Sequence, residues 1–445
     1  MKALVFDTTF GSWESTRGFE LQDVPEPVLD EKKDPTDADK VLLKVHYAGI
    51  CGTDRGIWNR AAFRDQILGS IKAEGKAYRI LGHEFFGEIV KLGSKASALA
   101  PSPLIRGVPP SSAGRGVGPL TVGDFVSPES HVVCNKCFQC LRGESHVCTN
   151  EKILGISHDG GFAEFVKLPA HIVWKTDTSK IRPELGALQE PFGNAVHAGS
   201  VVPLKGKTIA IFGLGPIGLF LTLVARGLGA STIIGVEPNP VSIDMAKRLG
   251  IDYVIPLSPL PKGVPPSSAG RVVSPSKGSA EPLQQGLGRG VTTPALAASG
   301  TPFRKGDYHR DEAVIKQIEK ITNGLGVDVS FEMAGFNSSF NNALFATRRG
   351  GDVIAFGIKT GDFVLEDYNR FVVRGLTVHA VIGRRLPETW ETTQKLFADP
   401  SNKIQENIWN IILEQGKGTI LPLKEYTKER FEEMMKKHPK LLIEI

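Results

Sequence analysis

The sequence predicts an α/β protein with a doubly wound parallel sheet in its second half. Residues 208–212 form a compact apolar, β-branched run, and a glycine-rich turn, 213–218, follows it at once. Short apolar runs return at 327–332, 351–357 and 376–383, each ending in small or polar residues. Such runs are typical of strands that a parallel sheet buries on both faces. The 445 residues are enough for two or more domains with buried cores.

The glycine-rich turn has the context of a dinucleotide site. It leads into a helix predicted over 219–228, and a second strand, 232–236, ends at Glu237. The alternative is a glycine turn in an α/β protein that binds no cofactor. The complete order of strand, turn, helix, strand and acidic residue favours the cofactor and predicts a Rossmann-type domain.

Each glycine of the turn has a physical role in this interpretation. Gly213 allows the tight turn, Gly215 lets the backbone approach the pyrophosphate, and Gly218 permits close packing of helix on strand. The pyrophosphate would meet the positive end of the helix. Glu237 can accept hydrogen bonds from the adenosine ribose, and its charge would repel a 2′-phosphate, so NAD is favoured over NADP.

The nicotinamide is expected near the ends of the later strands, because ligands gather at the carboxyl ends of parallel strands. Each of these positions could equally be an ordinary strand end. The predicted cofactor-binding residues are Gly213, Gly215, Pro216, Ile217, Gly218, Glu237, Ala334, Gly335, Phe356, Gly357, Ile382 and Gly383.

Four of the five cysteines crowd into fifteen residues, a spacing too tight for a disulfide framework. Cys134, Cys137, Cys140 and Cys148 can gather around one tetrahedral zinc ion. Four thiolates leave no open position, so this zinc would stabilise its loop rather than take part in chemistry. A redox pair of the C-x-x-C type would leave two nearby thiols unexplained.

The remaining cysteine, Cys51, predicts a second zinc site that is catalytic. A catalytic zinc ion needs three protein ligands and one open position. His83 lies about thirty residues after Cys51, and the nearest carboxylates for the third ligand are Glu84 and Glu190. Taken alone, Cys51 could be a small buried apolar residue and His83 a satisfied core residue.

A cofactor fold supplies the chemical reason for such a site. Hydride leaves a carbinol easily only once the hydroxyl has become an alkoxide, and a zinc Lewis acid lowers the hydroxyl pKa. The hydroxyl of Thr53, two residues after Cys51, could pass the released proton outward. The predicted reaction is oxidation of a secondary alcohol on a small polar substrate.

At these residues the chain resembles the zinc-containing medium-chain alcohol dehydrogenases. The motifs that carry the resemblance, in the order of that family, are 49–54, 82–88, the four-cysteine loop, 160–164, 190–197 and 213–218. The resemblance implies a catalytic domain with a GroES-like β-barrel, interrupted by the Rossmann-type domain, and a homotetramer.

The resemblance also implies the domain limits. The catalytic domain would cover 1–192, with the structural zinc loop at 129–150, and the NAD-binding domain 193–384. Residues 385–445 would return to the catalytic domain.

Within the family, the chain is most similar to the threonine dehydrogenases, through 190–197, 129–131 and Gly383-Arg384 followed by 388–390. That similarity implies a catalytic zinc ion held by Cys51, His83, Glu84 and Glu190, some of them exchanging with water. His131 would lie beside the substrate; its alternative role is to cap the zinc loop.

Two features depart from the threonine dehydrogenases. Those enzymes typically carry a proton-relay histidine five positions after the zinc cysteine, where this chain has Gly56. Polyol, vicinal-diol and aldose substrates therefore stay open. Residues 60–80 are also longer and more charged than is usual in the family, and we expect them to reshape the substrate mouth.

Two inserted segments, 100–119 and 259–305, share a thirteen-residue repeat rich in Pro, Gly and Ser and are predicted to be disordered surface loops. Together they carry a charge of +7, which leaves −2 for the rest of a chain whose total is +5. The basic charge therefore belongs to the inserts, and without interleaved aromatic residues it does not indicate nucleic-acid binding.

Apolar stretches are interrupted well before the length that spans a bilayer, so we expect no membrane segment. The first seven residues indicate a strand rather than a signal peptide, which favours the cytoplasm. A non-enzymatic relative that binds NAD and zinc is a weaker alternative, because a pure binder needs no open zinc site.

Overall fold

The computed structural model describes residues 1–98, 119–257, 310–358 and 363–445. Both predicted inserts, 100–119 and 259–305, lie outside these residues except for Pro119. The predictions of disordered loops at these two places therefore remain predictions.

The described residues form strands and helices that are numbered here in chain order. The strands are β1 (Lys2–Asp7), β2 (Glu20–Asp23), β3 (Lys40–Gly49), β4 (Tyr78–Ile80), β5 (Glu84–Leu92), β6 (Phe125–Pro128), β7 (His131–Val132), β8 (Lys152–Ile153), β9 (Phe165–Pro169), β10 (Val173–Lys175), β11 (Thr208–Phe212), β12 (Thr232–Glu237), β13 (Tyr253–Pro256), β14 (Val327–Glu332), β15 (Thr347–Ala355), β16 (Thr377–Ala380), β17 (Ile420–Pro422) and β18 (Leu442–Glu444). The helices are α1 (Gly52–Trp58), α2 (Arg64–Glu74), α3 (Phe138–Leu141), α4 (Pro183–Gly186), α5 (Gln189–Gly199), α6 (Pro216–Gly227), α7 (Pro240–Arg248), α8 (Glu312–Ile321), α9 (Asn337–Ala346), α10 (Tyr368–Val373), α11 (Glu388–Ala398), α12 (Ile404–Asn407) and α13 (Lys428–Lys437).

Strand β3 organises the first half of the chain. It pairs with β5, β9 and β18 in a mostly antiparallel sheet of order β10-β6-β5-β3-β18-β17, and a smaller sheet has the order β2-β1-β4. Leu43, Phe85 and Val166 are among the buried residues of its core. Because β18 pairs with β3, with Leu442 opposite Gly49, the last residues of the chain lie beside the predicted zinc cysteine.

The second half contains the predicted parallel sheet. Its order is β13-β12-β11-β14-β15-β16, and every adjacent pair is parallel. The strand order therefore reverses between β11 and β14, which is where doubly wound sheets bind their ligands. This confirms the predicted doubly wound, Rossmann-type domain, which is joined to a β-rich first half.

Some element limits differ from the sequence-based prediction. Helix α6 begins at Pro216, with Gly215 as its cap, rather than at Leu219. Proline suits the first helical position because its missing N–H has no partner there in any case. The strand predicted over 376–383 is shorter, ending at Ala380.

Helix α5 joins the two halves. It is almost entirely buried, and the ring of Phe192 lies 4.7 Å from that of Phe397 and 5.5 Å from that of Phe220. These contacts fix α5 between α6 and α11. Glu190 and Asn194 of this helix consequently line the cleft described next.

Candidate active site

A cleft of about 2260 Å³ is lined by residues next to strands of both large sheets. In the first sheet, Cys51 follows β3 and His83 precedes β5. In the second sheet, Gly215, Ala334 and Phe356 follow β11, β14 and β15. One cavity therefore contains the predicted catalytic zinc ligands and most of the predicted cofactor-binding residues.

Strand pairing explains why Cys51 and His83 meet. In the ladder between β3 and β5, Gly49 is opposite Glu84, so the end of one strand adjoins the start of the other. Ligand atoms of Cys51, His83 and Glu84 lie within 4.8 Å of one another. The cluster contains a thiol, an imidazole and a carboxylate, the donor types that zinc accepts.

Asp54 completes the surroundings of His83. Its Oδ2 accepts a hydrogen bond of 2.8 Å from the backbone N–H of Cys51, and its Oδ1 lies 3.8 Å from Nδ1 of His83. Oδ1 of Asp54 and Nδ1 of His83 are buried, and neither atom has a hydrogen-bond partner among the described residues. Imidazoles that bind zinc through one nitrogen commonly turn the other toward a carboxylate, so the arrangement fits a zinc ion.

Glu84 is paired with a buried cation. Its Oε2 accepts a hydrogen bond from Nζ of Lys440, and each side chain is only 1% exposed. Lys440 also donates to the carbonyl of Ile50 at 3.0 Å. A side chain at Gly49 would collide with Glu84, because a Cβ there would lie 2.3 Å from Oε2.

Glu190 lies in the cleft but outside the three-residue cluster. Its Oε1 lies 2.8 Å from Nη1 of Arg384 and accepts a hydrogen bond of 2.6 Å from the hydroxyl of Ser130. Arg384 also donates to the side-chain oxygen of Asn194 at 3.0 Å. The prediction that Glu190 binds zinc stays a prediction.

Glu129 neutralises the other side of Arg384. It accepts hydrogen bonds from Nε of Arg384 at 2.8 Å and from the indole of Trp390 at 2.9 Å. Burial alone would raise the pKa of Glu129, but the charges of Arg384 and His131 lower it to about 2. The carboxylate is therefore ionised at neutral pH and holds the guanidinium in place.

His131 and Thr53 also line the cleft. Nδ1 of His131 lies 2.7 Å from a carboxylate oxygen of Glu151, and the His131 backbone N–H donates to Glu129 at 3.0 Å. The opposite edge of the imidazole faces Gly383, where a Cβ would lie 3.9 Å from Nε2. His131 thus lies between the zinc loop and the predicted nicotinamide surroundings.

The four remaining cysteines form a separate cluster. The sulfur atoms of Cys134, Cys137, Cys140 and Cys148 lie within 4.8 Å of one another, and none is in a disulfide. A backbone hydrogen bond from Lys136 lowers the pKa of the Cys134 thiol, whereas burial raises the pKa of the Cys140 and Cys148 thiols. Close approach of four sulfur atoms, and not their acidity, is the feature that indicates a metal. The cluster therefore fits a closed zinc site.

The glycine turn has the geometry that its predicted roles require. Gly213 has a φ of +101°, and a Cβ there would lie 2.9 Å from that of Ala334. A Cβ at Gly218 would lie 2.1 Å from the Gly213 carbonyl, whereas one at Gly215 would meet no described atom within 4 Å. Gly215 consequently borders open space at the start of α6, where a pyrophosphate could approach.

Glu237 ends β12 behind this turn. Its carboxylate accepts hydrogen bonds from the backbone N–H groups of Leu214 at 2.7 Å and Asn239 at 2.9 Å. Burial raises its pKa. Gly213, Glu237 and Gly335 lie outside the cleft lining. The predicted cofactor residues that line the cleft are Gly215, Pro216, Ile217, Gly218, Ala334, Phe356, Gly357, Ile382 and Gly383.

Comparison with known families agrees with this geometry. Residues 37–178 match the model of the alcohol dehydrogenase GroES-like domain, and residues 306–399 match that of the zinc-binding dehydrogenases. The L-threonine 3-dehydrogenase of Pyrococcus horikoshii is 33% identical over 398 residues, which cover 89% of this chain and 87% of that protein. The chain belongs to the zinc-binding medium-chain alcohol dehydrogenase family.

A second relative and a crystal structure are also similar to this chain. The L-threonine 3-dehydrogenase of Bacillus subtilis is 29% identical over 92% of this alcohol dehydrogenase and 90% of its own length. The fold matches the crystal structure of 2R,3R-butanediol dehydrogenase from Bacillus subtilis with a TM-score of 0.67 at 22% identity, covering 100% of this chain and 99% of that one. The enzyme is thus a zinc-dependent, NAD(P)-linked alcohol dehydrogenase. None of its described helices is both long and apolar enough to cross a membrane.

The sequence did not reveal two ion pairs of this alcohol dehydrogenase's site, although Glu129 and Arg384 lie in motifs at 129–131 and 383–384. Lys440 lies 356 positions after Glu84, and Glu129 lies 255 positions before Arg384. No local pattern marks such pairs, because only the return of the chain through β18 and the end of the parallel sheet brings them together. Residues of α2, which lies within the 60–80 segment, line the cleft. The predicted effect of this segment on the substrate mouth stays a prediction.

Proposed function

We propose that this zinc-dependent alcohol dehydrogenase oxidises the secondary hydroxyl of L-threonine or a related amino alcohol, with NAD as hydride acceptor. The observation that carries the proposal is the single cleft shared by the Cys51–His83–Glu84 cluster and the glycine turn. The L-threonine 3-dehydrogenases among its relatives support the substrate class.

In this proposal Cys51, His83, Glu84 and Glu190 are the ligands of the catalytic zinc. A zinc ion bound there would supply a Lewis acid that lowers the pKa of the substrate hydroxyl. Asp54 would orient the imidazole of His83 through Nδ1. Buried cations hold both carboxylates, so the charge of each is compensated before the metal binds.

The substrate proton would leave through side chains of the cleft wall. Thr53 follows Cys51 by two residues and lines the cleft, so its hydroxyl can accept the proton and donate its own onward. His131, oriented by Glu151, would contact the substrate from the opposite wall. The nicotinamide would lie near Gly383, where a Cβ would be 3.7 Å from the imidazole of His131.

Cofactor choice would depend on Glu237. Its negative charge at the end of β12 would repel the 2′-phosphate of NADP and accept hydrogen bonds from the ribose of NAD. Glu237→Ser should therefore lower kcat/KM for NAD and raise that for NADP. An unchanged ratio between the two cofactors would count against this role.

Oxidation of a vicinal diol or polyol is the second candidate. It is favoured by Gly56, which stands where the threonine dehydrogenases typically carry a relay histidine. The same zinc and cofactor chemistry would apply, with a different group beside the carbinol.

NADH formation, followed by absorbance with the zinc-replete protein, distinguishes these candidates. L-threonine is compared with sorbitol, 2,3-butanediol and glucose, and a chelator-treated sample is the control. Turnover of L-threonine that ends on metal removal supports the first proposal. Turnover of a diol, polyol or sugar without turnover of L-threonine supports the second candidate. Turnover of none of the four compounds contradicts both candidates.

The assembly, location and domain limits are proposals too. We propose a cytoplasmic homotetramer with domains at 1–192 and 193–384 and a return segment at 385–445. Light scattering coupled to gel filtration should give four times the chain mass of 48.1 kDa. A monomer or dimer would contradict the tetramer.

A further inference from the structure

Helix α2 forms part of the wall of the proposed substrate cleft. It lies between the Cys51 and His83 motifs, and Phe63, Gln66, Gly69 and other residues of the segment line the cavity. Ile67 and Ile71 lie on its other face, buried in the core of the first half. One side of α2 is therefore anchored in the protein, and the other faces the cleft.

The C-terminal end of α2 is held by a charged network. Arg79 is completely buried and lies 2.7 Å from Glu74 of the helix and 2.7 Å from Asp159. Arg79 also donates to the hydroxyl of Ser70 at 3.0 Å, and Ser70 donates to the carbonyl of Ile156 at 3.1 Å. These contacts tie the helix to the 153–159 loop, which lines the same cleft.

The N-terminal end is fixed by the turn that precedes it. Arg60 and Phe63 have left-handed backbone conformations, with φ of 58° and 64°. The guanidinium of Arg60 lies 5.2 Å from the ring centre of Trp13 and donates to the carbonyl of Gly18 at 2.7 Å. Both ends of α2 are thus held, so the helix is a fixed wall of the cleft.

Gly69 lies in the middle of this wall. A glycine inside a helix lowers its stability relative to alanine, because more backbone freedom is lost on folding. Here a Cβ would meet no described atom within 4 Å, and Gly69 is exposed where it lines the cleft. The packing of α2 does not require a glycine at this position. The volume of the cleft does depend on the glycine, because any larger side chain would occupy part of it.

The cleft of about 2260 Å³ contains both the space proposed for the dinucleotide at the start of α6 and the space beside α2. It exceeds the roughly 300–1,000 Å³ of a usual small-molecule pocket, as expected of a cavity that holds two ligands. We infer that Gly69 determines substrate size: it keeps room for secondary alcohols whose carbon chain extends beyond the methyl group of threonine. This inference rests on the proposed function, because it concerns the substrate of the same site.

The test compares short and long substrates in Gly69→Ala, Gly69→Leu and Gly69→Trp. The pairs are L-threonine with 3-phenylserine and 2,3-butanediol with 3,4-hexanediol, each followed by NADH formation with zinc and NAD. Gly69→Trp should lower kcat/KM for the long member by at least about tenfold relative to the short one, because the indole occupies its space. Gly69→Leu should have a smaller effect of the same kind.

Gly227→Trp is the matched control. Gly227 is the last residue of α6, is exposed, and a Cβ there likewise meets no described atom within 4 Å, but it does not line the cleft. In Gly227→Trp, the ratio of kcat/KM for the long substrate to kcat/KM for the short one should equal that of the unchanged protein. The inference would be overturned if Gly69→Trp lowered kcat/KM equally for both substrates, or lowered it for neither.

Thermal unfolding provides a readout that does not depend on turnover. Gly69→Ala should raise Tm by about 2 °C through helix propensity, and Gly69→Trp should leave it nearly unchanged. A fall in Tm of several degrees in either variant would show that the side chain at this position is packed against other atoms, and it would overturn the inference. If the unchanged protein oxidises none of these alcohols, the proposed function fails, and Tm alone then decides whether Gly69 borders open space.

Discussion

Nη1 of Arg384 lies 2.8 Å from Oε1 of Glu190, and both side chains are buried. Arg384 follows the last strand of the parallel sheet, and Glu190 is the second residue of α5, the helix between the two halves of the protein. The same guanidinium is paired with Glu129 at the start of the zinc loop. One buried cation therefore connects the nucleotide-binding half to the proposed zinc site.

Replacing Arg384 should destabilise the protein strongly. Arg384→Met would leave Glu129 and Glu190 buried without a cation, and breaking a buried pair costs about 3–5 kcal/mol. The free energy of unfolding is measured in denaturant. Arg430→Met is the control, since Arg430 and Glu425 form an exposed pair worth at most about 1 kcal/mol. Similar losses in the two variants would contradict the structural role of Arg384.

Glu129 should make stability depend on pH in acid. Its pKa is lowered from 4.5 to about 2 in the folded protein, where Arg384, His131 and Trp390 face it. Its contribution is complete above the unfolded value and is lost as the pH falls from 4.5 through about 2. Denaturant unfolding between pH 6 and pH 2 should show this loss, and Glu129→Gln should flatten it. An unchanged slope in the variant would refute the assignment.

The two zinc sites should respond differently to the loss of a cysteine. Cys134→Ser should remove about one zinc ion per chain and lower Tm by about 5 °C or more, because a structural site contributes folding free energy. Cys51→Ser should also remove one zinc ion and abolish NADH formation, with a smaller change in Tm. Zinc is measured by elemental analysis. Equal effects on Tm would contradict the separation of structural and catalytic roles.

Two glycines of the dinucleotide turn should also differ in effect. Gly215→Val should fold normally but raise KM for NAD by at least about tenfold, because its side chain would project into the space at the start of α6. Gly218→Ala should instead lower Tm, since its Cβ would lie 2.1 Å from a carbonyl oxygen. Calorimetry and cofactor titration measure these effects. A stable Gly218→Ala variant would show that the helix can shift to accept the methyl group.

The sequence alone was sufficient for the features that depend on neighbouring residues. The strand over 208–212, the glycine turn after it and the four-cysteine loop were all predicted, because their chemistry depends on short spacings. The parallel sheet followed from apolar runs of strand length. Helix and strand limits were less accurate: α6 begins three residues earlier than predicted, since a proline suits the first helical turn.

Contacts between distant segments were decided by the tertiary structure. Lys440 reaches Glu84 only because β18 pairs with β3, and Arg384 reaches Glu129 only where the parallel sheet ends against the zinc loop. The open space at Gly69 likewise depends on how α2 is anchored to the first half. Local spacing therefore identifies the residues of this enzyme that can bind zinc. The long-range pairing of strands determines which charges surround those residues and how large the cleft is. Adjacent residues encode neither the surrounding charges nor the cleft volume, because both depend on segments far apart in the chain.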